Sequence, residues 1–286
     1  MTLKIAVPNK GRLMDDTLDL LRSIGVRVPH STDRTLVANT NGGSYQILFA
    51  RAQDIPEYVE VGAAHAGITG TDLVEETGVR VRRLLNLGYG ACKLVVAAPD
   101  HSGCSSVSDL PANAKIATAF PNLTRRYFEK RKQKVVVVPI SGAAELTPFI
   151  GVADAIVDLT QTGATLKQNH LALLDVVLES TAILIAPPTL PAARAEDLEV
   201  LLAALESVRL AHRKRYLMAN VKASGVAGIA RVLPGVSGPT VMKLATRGMV
   251  AVHAVVEEDH INGLIPRLKK LGATGILVLP IERMVP

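Results

Sequence analysis

Apolar residues fall along this chain in short blocks with two different periods. Residues 3–8, LKIAVP, predict a buried strand, after which Leu13, Leu18, Leu21 and Ile24 recur at helical spacing until Gly25 ends the run. The segments TLVANT and YQILFA flank Asn41, Gly42 and Gly43, and predict a hairpin because Asn and Gly tolerate the positive φ of a type I′ turn. AAHAGITG, CKLVVAAP, AKIATAF, KVVVVPI and DAIVDLT are further strand candidates, and helical patterns such as LTRRYFEKRKQ lie between them. The body is therefore expected to be α/β with a mixed sheet.

A Pro-rich stretch, IAPPTLPAAR, precedes AEDLEVLLAALESVRLAHRKRYL, a long amphipathic helical pattern expected to close that body. Beyond it, YLMANVKAS, MVAVHAVVE and ATGILVLPI read as strands, with helical patterns at VAGIARVL and INGLIPRLKKLG. One more short strand near residue 240 would make this tail a βαββαβ unit, able to form a small domain of its own.

Composition narrows the classes of function. Of 286 residues 48% are hydrophobic, yet the apolar runs stop at about ten residues, short of a membrane span. The start MTLKIAVPNKGRL lacks the pattern of a secretory signal, so a cytoplasmic location is expected. Cys92 and Cys104 are too few for a disulfide framework, and the histidines show no metal-binding spacing. A net charge of +6 suits either a soluble surface or a polyanionic partner; with only 3% aromatic residues, stacking on nucleic acid is disfavoured and a small polyanion fits better. Gly88-Tyr89-Gly90 lacks the third glycine of a dinucleotide fingerprint and reads as a crossing between two lobes.

The segment most informative about chemistry is DAIVDLTQTGATL, residues 154–166. A strand ends in Asp158 and turns through Thr162, Gly163, Ala164 and Thr165 towards a helix, an arrangement able to cradle a phosphate with hydroxyls and free amides. Asp154 and Asp158 would place acceptors beside it for ribose hydroxyls or Mg²⁺. Spacing alone leaves a plain helix-capping turn equally open. Lys10 and Arg12 flank Gly11 after the first strand, where phosphates or solvent could meet them. Gly70 and Asp72 suit either a turn or a substrate acceptor, Arg51 and Asp54 either a cleft or a surface ion pair, and Thr124, Arg125 and Arg126 a second anion-binding helix start.

Glu145, Gly151, Ala153, Ile156, Asp158, Leu159, Thr162, Gly163, Thr165 and Leu166 together resemble the signature of the ATP phosphoribosyltransferase family. VPNKGRL, RAQDIPEYVEVG, GITGTDL, ATAFPNLTR and GILVLPIERM extend the resemblance along the chain. It implies a two-lobed, periplasmic-binding-protein-like catalytic body with a C-terminal ferredoxin-like regulatory domain. Lobe I would take residues 1–90 and 182–215, lobe II 91–181 and the regulatory domain 216–286.

The implied reaction joins the adenine N1 of ATP to C1 of 5-phosphoribosyl 1-pyrophosphate, releasing pyrophosphate and giving phosphoribosyl-ATP, the first step of histidine biosynthesis. The resemblance assigns catalysis to Lys10, Arg12, Glu145 and Asp158. It gives substrate contacts to Arg51, Asp54, Gly70, Asp72, Asp154 and residues 162–165, and Mg²⁺ to Asp154 and Asp158. It further implies a homo-oligomer, from dimer to hexamer, inhibited by L-histidine at Asn220, Val236 and Thr240, with Tyr216, Leu217, Met218, Pro234, Gly235 and Ser237 in the same effector segments. The competing expectation is a two-lobed solute- or anion-binding module without catalysis, since fold alone does not fix function.

Overall fold

The computed structural model describes residues 2–28, 36–40, 42–233, 235 and 238–285. The chain forms two compact units, Met1–Leu202 and Ala203–Pro286.

The first unit begins β1 (Leu3–Pro8), α1 (Met14–Ser23), β2 (Val37–Asn39), β3 (Tyr45–Ala50), α2 (Ile55–Glu60), β4 (Ala66–Gly70), α3 (Thr71–Thr77) and β5 (Arg82–Asn86). It continues with β6 (Cys92–Pro99), β7 (Ala114–Thr118), α4 (Pro121–Lys130), β8 (Val135–Pro139), β9 (Ala155–Thr160), α5 (Ala164–Gln168), β10 (Leu171–Ser180) and β11 (Ala182–Ala186). α6 (Ala192–His212) runs from this unit into the next.

Two mixed sheets result, one in the order β2-β3-β1-β4-β11-β5 and one in the order β10-β6-β9-β7-β8. Their inner strands are mostly apolar, and in the first sheet every residue of β4 and β11 is buried because both faces are covered. The chain passes between the sheets at residues 87–91 and again at Thr181. Hydrogen bonds tie these crossings together, the Ala182 amide and Thr181 hydroxyl donating to the Tyr89 carbonyl at 3.0 and 2.9 Å, and the Leu87 amide to the Ala182 carbonyl at 3.0 Å.

In the second unit β12 (Lys214–Lys222), α7 (Val226–Val232), β13 (Thr240–Lys243), β14 (Met249–Glu257), α8 (Ile261–Lys270) and β15 (Thr274–Pro280) complete the expected βαββαβ pattern. The antiparallel order β13-β14-β12-β15 is ferredoxin-like, and β13 is the short strand anticipated near residue 240. Its core gathers Leu217, Ala219, Val252, Ile229 and Leu268 between the sheet and its helices. This unit takes in the last part of α6 as well as the segment from 216, and the Met284 amide donates to the Ser207 carbonyl at 2.9 Å.

Two local expectations are corrected. β2 and β3 do pair antiparallel, but Thr40 still bonds Tyr45, so the connection is longer than a two-residue turn. Gly42 and Gly43 have φ of 99° and 70°, while Asn41 lies outside the described residues. The second correction concerns the start of α4, whose N-cap residue, Phe120, has no side-chain acceptor. The anion there is the protein's own: the Glu76 carboxylate, at the end of α3, accepts from the Asn122 and Leu123 amides at 2.9 and 2.8 Å. Asn122 Nδ2 returns a bond to the Glu76 carbonyl at 3.1 Å, and Arg126 donates to the Glu75 carbonyl. Thr124 is fully buried and its hydroxyl is spent on the Phe120 carbonyl at 2.7 Å, so this segment does not present a vacant anion site.

Because Glu76 caps a helix that belongs to the other sheet, Glu76→Ala should cost about 1–2 kcal/mol of stability. Urea unfolding should show a lowered midpoint with an unchanged slope; an unchanged midpoint would mean that water replaces the carboxylate at no cost.

Candidate functional site

β9 delivers the chain to the site. Its first residues are buried in the second sheet, while Asp158 and Leu159, paired with Val95 and Leu94, are partly exposed near its C-terminal end. The Leu159 amide donates to Asp158 Oδ1 at 2.7 Å. Burial pushes the Asp158 carboxyl up from the ordinary aspartate range, the Leu159 amide opposes this, and the negative charge of Glu145 adds to the rise. Glu145 stands in a 3₁₀ turn, Ala144–Leu146, that follows Ala143 at a φ of 47°. The structure thus brings together two carboxylates that are 13 positions apart in the sequence.

Past Asp158 the chain closes a tight turn. Thr160 Oγ accepts from the Gly163 amide at 3.0 Å and Thr162 Oγ from the Ala164 amide at 3.4 Å. Gly163 has a φ of 77° with no heavy atom within 4 Å of where a Cβ would lie, so glycine is needed here for its conformation and not for space. Thr162, Ala164 and Thr165 are exposed. Across a cleft of about 260 Å³, Thr160, Thr162 and Thr165 face Arg12 and Cys92.

Arg12 reaches that cleft from the turn after β1. One guanidinium nitrogen donates to the Gly90 carbonyl, and Nη2 lies 3.6 Å from Asp72 Oδ2. Asp72 is only 1% exposed, and its Oδ1 accepts from the Ser180 hydroxyl at 2.5 Å. Its carboxylate is therefore held inside the protein, where it meets Ser180 and Arg12. Gly70 is likewise buried, and a Cβ there would collide with Asp72 Oδ1. Its missing side chain makes room for this carboxylate. Ser180 and the Gly90 carbonyl were not among the candidates, although the crossing at 88–90 was visible in the sequence.

Lys10 and Arg51 are exposed and follow β1 and β3, parallel neighbours whose C-terminal residues Pro8 and Ala50 are in register. They therefore lie together at the C-terminal ends of two neighbouring strands of the first sheet. Asp54 precedes α2, its amide bonded to the Arg51 carbonyl at 2.9 Å, and no side-chain ion pair joins Arg51 to Asp54 among the described residues. Asp154 departs from expectation. It precedes β9, so the whole strand separates it from the 160–165 turn, and its Oδ2 accepts from the Lys115 amide at 2.7 Å. Four residues of strand span about 13 Å, so Asp154 cannot share one metal ion with Asp158.

In the C-terminal unit Asn220 lies on β12 opposite Ala251, and Thr240 lies on β13 opposite His253. Both belong to the face of the sheet turned away from the core. Gly275 approaches the Asn220 side-chain amide closely, while Val236 lies outside the described residues, as do Pro234 and Ser237. A separate cavity of about 820 Å³, bounded by Lys214, Arg231, His260 and Arg267, includes neither Asn220 nor Thr240.

On a two-sheet α/β body, a strand-end turn rich in threonine and an arginine line one cleft, and similarity to known proteins assigns this body to the pentosyltransferases. The family model described as "ATP phosphoribosyltransferase" matches residues 51–207, and that described as "HisG, C-terminal domain" matches 211–283. An ATP phosphoribosyltransferase of Gemmatimonas aurantiaca is 48% identical over 99% of this chain and 100% of its own length, and that of Methanocaldococcus jannaschii 44% identical over the same shares. A solved ATP phosphoribosyl transferase (HisG:HisZ) complex from Thermotoga maritima contains a chain that is 30% identical, with a TM-score of 0.63 over 72% of this chain and 97% of its own. The chain belongs to the ATP phosphoribosyltransferase family, in its long form, and acts in histidine biosynthesis.

The raised pKa of Asp158 makes its ionised form a cost to the fold. The folded state keeps this proton at pH values where the unfolded chain has lost it, so stability falls as pH rises through the window from the ordinary aspartate pKa to the raised one. Asp158→Asn should therefore raise the thermal midpoint of the free protein near pH 7, an advantage that disappears in acid below that window. A midpoint lowered at pH 7 would show instead that the anion stabilises the fold.

Proposed function

We propose that the 160–165 turn holds the 5′-phosphate of phosphoribosyl pyrophosphate, with Asp158 and Glu145 beside the ribose and Arg12 towards the pyrophosphate. The observation that supports this reading best is the single cleft in which Arg12 faces Thr160, Thr162 and Thr165. Lys10, Arg51 and Asp54, beyond the C-terminal ends of β1 and β3, would serve the ATP side.

In the reaction adenine N1 of ATP attacks ribose C1, the N1–C1 bond forms, and the C1–O bond breaks with its electron pair leaving on pyrophosphate. Charge accumulates on the leaving group as the sugar becomes cationic, so fixing the two substrates and meeting that charge should dominate the rate. The Arg12 fork suits phosphate oxygens, and the Asp158 and Glu145 carboxylates suit a positive ribose. They also fit Mg²⁺, which commonly takes one or two carboxylates together with substrate phosphates. No cluster of three or more His, Cys, Asp or Glu forms a protein-only metal cage among the described residues. When bound, the ion would neutralise pyrophosphate charge. Asp154 has no part in this assignment.

For regulation, L-histidine is proposed to act on the face carrying Asn220 and Thr240. That face also exposes Met242, Leu277 and Leu279, at 56%, 49% and 47%, which supports a homo-oligomer. No helix among the described residues is long and apolar enough to cross a membrane, consistent with action in the cytoplasm.

The test is pyrophosphate release, with the parallel change in ultraviolet absorbance, from ATP, phosphoribosyl pyrophosphate and Mg²⁺. Asp158→Ala should lower turnover by about 100-fold or more. L-Histidine should suppress the wild type, and Asn220→Ala should weaken that suppression without altering uninhibited turnover. Full activity in Asp158→Ala would sink the site assignment, while indifference to histidine would remove the regulatory one.

A further inference from the structure

We infer that Ser180 and Asp72 form a positioning pair that sets the Arg12 guanidinium in the cleft, an inference that rests on the reading of Arg12 as a pyrophosphate contact. Asp72 and Ser180 are 1% and 5% exposed, and they bond reciprocally: the Ser180 hydroxyl donates to Asp72 Oδ1 at 2.5 Å and the Asp72 amide to Ser180 Oγ at 3.0 Å. These bonds fix the plane of the carboxylate. Asp72 Oδ2 is buried and accepts no hydrogen bond, and the cation facing it is Arg12, 3.6 Å away. A buried carboxylate without compensation is costly, so Asp72 draws the guanidinium towards itself.

The rest of the arrangement points to Arg12 as its object. The Gly90 carbonyl takes a second hydrogen-bonding position of the fork, and a Cβ on Gly90 would collide with Leu13 and come 3.5 Å from Arg12 Nη1. A Cβ on Gly70 would collide with the Asp72 carboxylate. The glycine that ends β4 thus leaves room for the Asp72 carboxylate, and Gly90 lets Leu13 pack beside the carbonyl that receives Arg12. The members of this arrangement come from the turn after β1, the start of α3, the first crossing between the sheets and the last residue before the second. Arg12 is held from behind by the groups that join the two sheets, while the side chain lines the cleft opposite Thr162 and Thr165.

A pair that merely supported the fold would affect catalysis equally whether or not Arg12 were present. We therefore expect Ser180→Ala to lower kcat/KM for phosphoribosyl pyrophosphate by about tenfold in the wild type and to cause no further loss in Arg12→Ala. Ser180→Thr, which keeps the hydroxyl, should recover much of the loss. Equal losses in both backgrounds, or no loss in the wild type, would overturn the inference. An Arg12→Ala enzyme with full activity would overturn the assignment of Arg12 itself, a different failure read from a different variant. Thermal unfolding checks that each variant is folded; should Ser180→Ala not fold, the same cycle with Asp72→Asn decides by the same criteria.

Discussion

A carboxylate removed from water must find a cation or a full set of donors, and Asp72 finds Arg12 and Ser180. That requirement acts at the point where the chain passes between its two sheets. The crossings are hydrogen-bonded to each other through Tyr89, Thr181 and Ala182, and the ion pair lies against them. The sheets, whose strands otherwise share no ladder, are thereby joined near the cleft lined by Arg12 and Thr162. A charged pair is a poor source of net stability, because desolvation offsets much of its attraction. Its value here lies in direction: the guanidinium is given one place to be.

Asp158 illustrates the opposite use of burial. Burial, with the neighbouring charge of Glu145, holds its proton more tightly than in an ordinary aspartate, and one local amide opposes this. A buried carboxylate that feels a second negative charge is ill suited to the empty protein and well suited to a ligand that brings positive charge. An oxocarbenium-like ribose or a divalent ion on pyrophosphate would each relieve the repulsion.

Much of this was legible in the sequence, for identifiable reasons. β1 and β6 fall on the anticipated segments because an apolar run between polar residues has few other uses. The C-terminal βαββαβ order followed from alternating periods. β10 was not anticipated: register shifts at Leu173/Asp175 and Val176/Leu178 break its alternation, and β5 is an edge strand opening with Arg82 and Arg83. At the site, local sequence revealed the 160–165 turn, since its hydrogen bonds join residues two or three apart. It could not reveal that Asp72 meets a serine 108 positions away, nor that Asp154, just before β9, turns its carboxylate to the Lys115 amide.

The same topology explains why the starts of two helices are satisfied in different ways. α4 and α5 both follow strands of the second sheet, and both would offer unpaired amides to an anion. At α4 the protein supplies its own carboxylate, Glu76, reached from an element of the first sheet. At α5 the turn satisfies the Gly163 and Ala164 amides with Thr160 and Thr162 but leaves Thr162 and Thr165 exposed to the cleft. Glu76 thus does two things with one interaction: it docks α3 against α4, and it occupies a place where a phosphate would otherwise compete. On the proposed reading, a phosphorylated ribose would then be left with the turn that lines the cleft with Arg12.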